Sequence, residues 1–177
     1  MAAYLSLPAF QELIEFVEND SMYEDSVKAL ANSMLSYYFP IVNGWIIAPA
    51  QNRNNSFADF IVLRVQRRYP GDQSVVVVDH TVAKAKKKAD DLGTAMDQLE
   101  NALEQSNTEF GRCWAILFHG LNLLFYEYHK YLPENHRLIP TGPPSQPRRN
   151  KFHVRTDSLA IDETLMHMLQ NNTPNPR

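Results

Sequence analysis

Up to Pro40 the apolar residues fall at helical spacing, and beyond it they gather into strand-like runs. Phe10, Leu13, Ile14 and Val17 share one face of a helix predicted over Pro8 to Val17, with Pro8 in the first turn, where its missing N–H has no partner to lose. Ser21-Met22-Tyr23-Glu24 fits a capping box that opens a second helix. Behind it, Val27, Leu30, Ala31, Met34, Leu35 and Tyr38 keep helical spacing until Pro40 stops the run.

Three strands are expected next. Gly44 to Ala48 is short and apolar, and the polar turn 51–55 closes it. Phe57 to Gln66 follows, then a turn at Tyr69-Pro70-Gly71-Asp72, where Pro fixes φ and Gly supplies the left-handed position. Gln73 to Thr81 contains four consecutive valines, Val75 to Val78, the pattern of a strand covered on both faces. From Ala83 to Leu103 the spacing is helical again. Arg112 to Phe118 and Leu121 to Tyr128 form a hairpin across His119-Gly120. The proline-rich stretch from Ile139 to Pro147 reads as a linker without regular structure. Asp157 caps a last helix bearing Ile161, Leu165, Met168 and Leu169, and residues 171–177 read as a loose tail.

The expected fold is α/β: a mixed central sheet flanked by helices, with one crossover helix and a C-terminal helix. The expected organisation is a core over residues 1–138, a linker over 139–150 and a helical extension over 151–177.

Composition narrows the picture. A length of 177 residues suits one core, and 44% hydrophobic with 21% charged residues is ordinary for a globular chain. The net charge of −3 gives no global pull on nucleic acid. The single cysteine, Cys113, excludes an internal disulfide and a cysteine zinc site; inside Cys113-Trp114-Ala115-Ile116 it reads as a buried small residue. No apolar run reaches the roughly 20 residues that cross a bilayer. With no signal-peptide pattern at Met1 to Leu5, a cytoplasmic or nuclear location and no membrane partner are expected.

The candidate chemistry lies in the strands. Asp59 and Asp79 each interrupt an apolar run, and a carboxylate there must be paired, hydrogen-bonded or metal-bound. If the two strands are neighbours, both acids can meet at one end of the sheet and hold a hard divalent cation. Hydrogen bonding at strand ends is the structural alternative. His80 and His119 lie near strand ends with nothing to bring them together. The lysines from Lys84 to Lys88 could meet phosphate or form a solvated helix face. The aromatic stretch Phe125 to Tyr131 could stack bases, or simply pack the sheet.

A helix bearing Glu24, three strands, a helix and a further strand resembles the αβββαβ core of the PD-(D/E)XK, restriction-endonuclease-like nucleases. The resemblance spans about residues 21–128. It implies Mg²⁺ or Mn²⁺ held by Asp59 and Asp79, with Glu24 as an extra acid and Gln98 facing the site. Ala58 stands in place of the family's Pro, and Thr81 in place of its Lys, two positions after the second acid. Lys84 and Lys86, at the start of the next predicted helix, could each swing toward the metal, and Lys84 could substitute for the missing lysine. The implied function is metal-dependent phosphodiester hydrolysis. The alternative is a degenerate module on the same fold that binds nucleic acid, a protein partner or a second copy of the chain.

Overall fold

The computed structural model describes residues 3–19, 24–53, 56–67 and 75–177. A single turn of tight helix, Ala3–Ser6, leads into α1 (Pro8–Asn19) and α2 (Glu24–Tyr38). Then come β1 (Trp45–Arg53), β2 (Ser56–Arg67), β3 (Val75–Lys86), α3 (Leu92–Glu104), β4 (Arg112–His119) and β5 (Asn122–His129). Two short strands, β6 (Leu138–Pro140) and β7 (Lys151–His153), precede α4 (Ser158–Gln170). Ser21, which opens the expected capping box, and the expected turn at 69–72 lie outside the described residues.

The strands form one seven-stranded sheet in the order β1-β2-β3-β4-β5-β6, with β7 also paired to β5. Only β3 and β4 are parallel, and α3 makes the crossover that a parallel pair requires. The remaining pairs are antiparallel. Helices cover both faces, so the mixed α/β layering expected from the pattern is what the chain adopts. On one face α1, α2 and α4 bury Ile14, Leu30, Leu35, Ile161 and Leu165 against Trp114, Ile116 and Phe125. On the other, α3 buries Leu99 and Leu103 against Val82, Ala115 and Leu117. β4 and β5 are consequently apolar on both sides.

Three expectations need correction. First, β3 runs to Lys86, and α3 begins only at Leu92, with Asp91 as N-cap accepting from the Thr94 N–H. The small residues Ala83 and Ala85 read as helical, but here they are fully buried where the sheet packs beneath α2. Second, the proline-rich stretch is partly strand. Pro140 and Ile139 pair with Tyr126 and Glu127, and Thr141, Gly142 and Pro143 are buried. Proline fits here because β6 is an edge strand, with one side free of ladder bonds. Third, the tail is tied down. The Trp114 indole N–H donates to the Asn171 carbonyl at 2.9 Å, and Arg112 Nη1 donates to the Pro174 carbonyl at 2.9 Å.

The two ends of the chain also meet. The buried Tyr4 hydroxyl donates to the Val154 carbonyl at 2.6 Å, and Arg155 bridges to Glu18 on α1. The α4 Asp162 carboxylate accepts from the Tyr38 hydroxyl at 2.6 Å. These contacts, with the shared apolar cluster, place residues 151–177 on the same core as α1 and α2.

A β-bulge in β3 sets which side chains reach which face. Val62 pairs with Thr81 and Leu63 with Asp79, so His80 is the extra residue. His80 and Thr81 therefore both turn toward the α2–α4 side, and the alternation beyond them is reset. That reset puts Val82 and Lys84 on the α3 side.

Candidate functional site

The two strand acids do not meet. Asp59 lies near the start of β2 and Asp79 near the start of β3, and antiparallel pairing sends those starts to opposite ends. Asp79 falls opposite Leu63, four residues from Asp59, or about 13 Å along the strand. Sequence position alone carries no strand direction, and that is why the expected convergence failed. Asp79 is occupied locally: its carboxylate accepts from the Asn107 N–H at 2.7 Å, and its own N–H donates to the Asn107 carbonyl at 2.9 Å. It thereby holds the chain between α3 and β4.

What the fold does gather is a network around Asp59. Phe60 pairs with Ala83, which puts Asp59 opposite Lys84. Lys84 Nζ lies 3.3 Å from Asp59 Oδ2, with side-chain exposures of 6% and 13%, and donates to the Phe57 carbonyl at 2.9 Å. The Ala85 N–H also donates to Asp59 Oδ2 at 2.9 Å. Lys28 on α2 reaches Asp59 Oδ1 at 3.6 Å and Glu24 at 2.7 Å. Lys86 donates to Glu24 Oε2 at 3.0 Å. Two carboxylates and three ammonium groups thus join α2, β2 and β3.

The electrostatics follow from these contacts. Burial alone would raise the Glu24 pKa, but hydrogen bonds from Lys28 and Lys86 outweigh it and hold the carboxyl below its usual range. The hydrogen bond to Glu24 lifts Lys28 above its ordinary value against a smaller opposing effect of burial. Beside the network, a cleft of about 420 Å³ is lined by Glu24, Lys86, Lys87, Asp90, Asp91, Thr94 and Gln98. Gln98 is half-buried there, on the same cleft as Glu24.

The remaining candidates sit elsewhere. Thr81 is fully buried, and its hydroxyl donates to His80 Nδ1 at 2.8 Å. His80 Nε2 faces two carbonyls, Met168 at 3.0 Å and Asn171 at 3.3 Å, so Nε2 carries the proton. Burial pushes its pKa down to about 4, the two carbonyl bonds opposing. His119 bonds to the Asp90 carbonyl at 2.9 Å and lies six residues of strand beyond His80, about 20 Å away. Cys113 is buried within the sheet, and burial pushes its thiol pKa far upward, which removes it as a nucleophile at neutral pH. Phe125, Tyr126 and Tyr128 are buried sheet residues, leaving no stacking platform among them.

A divalent cation does not fit this donor set. Asp59 and Asp79 are separated, and among the described residues no three of His, Cys, Asp and Glu gather closely enough to ligate one. Glu24 and Asp59 share Lys28 between them, so a cation there would meet an ammonium group first. Sequence reading missed Lys28, whose only signal was an i, i+4 spacing from Glu24; Lys86 was weighed as a lysine near the metal, not as the partner of Glu24. No protein-family model matches the chain, and no curated protein or solved structure matches it either. Among the described residues no helix is long and apolar enough to cross a membrane.

Proposed function

We propose that this chain is a catalytically degenerate, protein-binding module built on a nuclease-like α/β core. The observation that carries the reading is Val82. With Lys84, beside Asp59, taken as the motif lysine in place of Thr81, the second metal carboxylate belongs two positions earlier. That position is Val82, fully buried against α3. Without the second carboxylate the set cannot hold the cation that would generate hydroxide and neutralise phosphate charge.

The αβββαβ order and the sheet sequence β1-β2-β3-β4, with β3 and β4 parallel, support the nuclease-like ancestry. Charge balance supports a protein partner over nucleic acid. Around the cleft, Lys28, Lys84, Lys86 and Lys87 are matched by Glu24, Asp59, Asp90 and Asp91, leaving no local surplus to attract phosphate. One observation favours the hydrolase instead: Asp59, Glu24 and Lys84 do lie in a single network.

A cleavage assay with Mn²⁺ or Mg²⁺ on single- and double-stranded DNA and RNA separates the readings, with Asp59→Ala and Asp79→Ala as controls. No cleavage by wild type, and no Mn²⁺-dependent rise in Tm, is expected. Cleavage by wild type that Asp59→Ala abolishes would restore the hydrolase. Salt-sensitive oligonucleotide binding without cleavage would replace the protein partner with nucleic acid.

A further inference from the structure

At the other end of the sheet, a second constellation surrounds the one acid on β5. Glu127 lies on the strand Asn122–His129 and is 7% exposed. His129 Nε2 meets Glu127 Oε2 at 3.1 Å, and the Thr141 hydroxyl approaches Oε1 at 3.4 Å. A charge this deep needs a cationic partner. It has one: Arg177 donates to Oε2 twice, from Nε at 3.1 Å and from Nη2 at 3.0 Å.

Arg177 is itself one wall of a cavity of about 370 Å³, lined also by Phe110, Gly111, Arg112, His129 and Tyr131. Two of these are aromatic and strongly exposed, Phe110 at 70% and Tyr131 at 82%. Phe110 has φ +55, a left-handed conformation that non-glycine residues seldom adopt and that concentrates at functional sites. Gly111 follows with φ +69, and a Cβ there would lie 2.4 Å from the Tyr131 ring, so glycine is what lets the ring close on the turn. Arg112 already holds its guanidinium 5.8 Å from the Phe110 ring centroid while donating to the Pro174 carbonyl. His129, bonded to Glu127, lines this cavity together with the two rings, and a buried carboxylate beside exposed aromatic rings is the chemistry of guanidinium recognition.

We propose that Glu127 and the cavity beside Arg177 form a guanidinium-binding site, its carboxylate occupied in cis by Arg177 and open in trans to an arginine side chain of a partner peptide. Arg177 is an exchangeable occupant because its side chain is 52% exposed while Glu127 is 9% exposed. The acceptor is thus fixed in the sheet, while the donor is half in water and can leave without disturbing the sheet. The site lies away from the Asp59 network and does not depend on whether that network is an enzyme's or a binding module's.

The test titrates Nα-acetyl-arginine methylamide into wild type, Arg177→Ala and Arg177→Ala/Glu127→Gln, following backbone amide shifts by NMR. Saturable shifts at residues 110–112 and 127–131 are expected in Arg177→Ala, at least about tenfold weaker in wild type, and absent in the double variant. The neutral citrulline analogue is expected not to bind. If Glu127→Gln disturbs the fold, Arg177→Ala/Tyr131→Ala replaces it, since Tyr131 is exposed; a loss of about threefold in affinity is expected there. Equal binding to wild type and Arg177→Ala, binding of citrulline at equal strength, or no saturation of Arg177→Ala by about 20 mM ligand would each overturn the site.

Discussion

At the scale of single residues, the Asp59–Lys84 pair is the most demanding contact in the sheet. Both groups are largely out of water, and each is the main compensation for the other, with Lys28 assisting at 3.6 Å. Removing one partner strands a charge, whereas removing both leaves neutral groups in the same space. Lys84→Met is therefore expected to lose about 3 kcal/mol, and Lys84→Met/Asp59→Asn to recover to within about 1 kcal/mol of wild type. Urea unfolding of wild type, Lys84→Met, Asp59→Asn and the double variant measures the coupling, and additive losses would show that the pair is not coupled. This interaction was half legible in the sequence. An acid inside Phe57 to Leu63 announced a partner, while Lys84 was weighed only as a stand-in for the missing lysine beside Asp79. The partner's identity required strand direction and the bulge at His80, neither of which is written in residue spacing.

Elements were more legible than their ends. The order of helices and strands follows from the change in hydrophobic period, because each element buries a face that its own period creates. The misreadings occur where residues suit two states. Ala83 and Ala85 are good helix formers, yet the sheet takes them because small side chains let α2 pack closely over β3. The proline-rich stretch contains β6 because an edge strand tolerates proline where an inner strand would not. Loop 141–149 is built rather than slack. A Cβ on Gly142 would lie 1.9 Å from the Arg149 carbonyl oxygen and 2.6 Å from that of Gln146. The Ser145 N–H donates to Glu163 on α4 at 2.9 Å. Gly142→Ala must push backbone aside, so a loss of about 3 kcal/mol is expected in thermal or chemical unfolding. A loss below about 0.5 kcal/mol, ordinary for a surface change, would mean that the loop yields freely.

For the molecule as a whole, His80 links three parts of the structure and makes stability depend on pH. It lies in β3, stacks against Phe39 and Trp45, and donates to carbonyls at the end of α4. Burial holds it neutral, with a folded pKa of about 4 against an ordinary 6.5, and the charge of Arg64 adds to the depression. The unfolded chain therefore takes up a proton first as pH falls. Stability is complete above pH 6.5 and declines between 6.5 and about 4, by about 3 kcal/mol in all. The carboxylates with lowered values, Glu18, Glu24 and Asp157 among them, add their losses only toward the acid end of that range. Chemical unfolding between pH 7 and pH 5 isolates the histidine, and His80→Gln is expected to flatten that interval. An equally steep fall in His80→Gln would assign the effect to other groups.

The pairing of Tyr4 with Val154 joins residues 150 positions apart, and α4 completes the apolar face that α1 and α2 share. α1 and α2 pack on the sheet, and the rest of their shared apolar face is covered only by α4, far along the chain. Contacts of that sequence separation cannot form from local structure, so this face closes only when distant segments meet. Until α4 docks, the apolar residues it covers stay open to water, the state most prone to association with other chains.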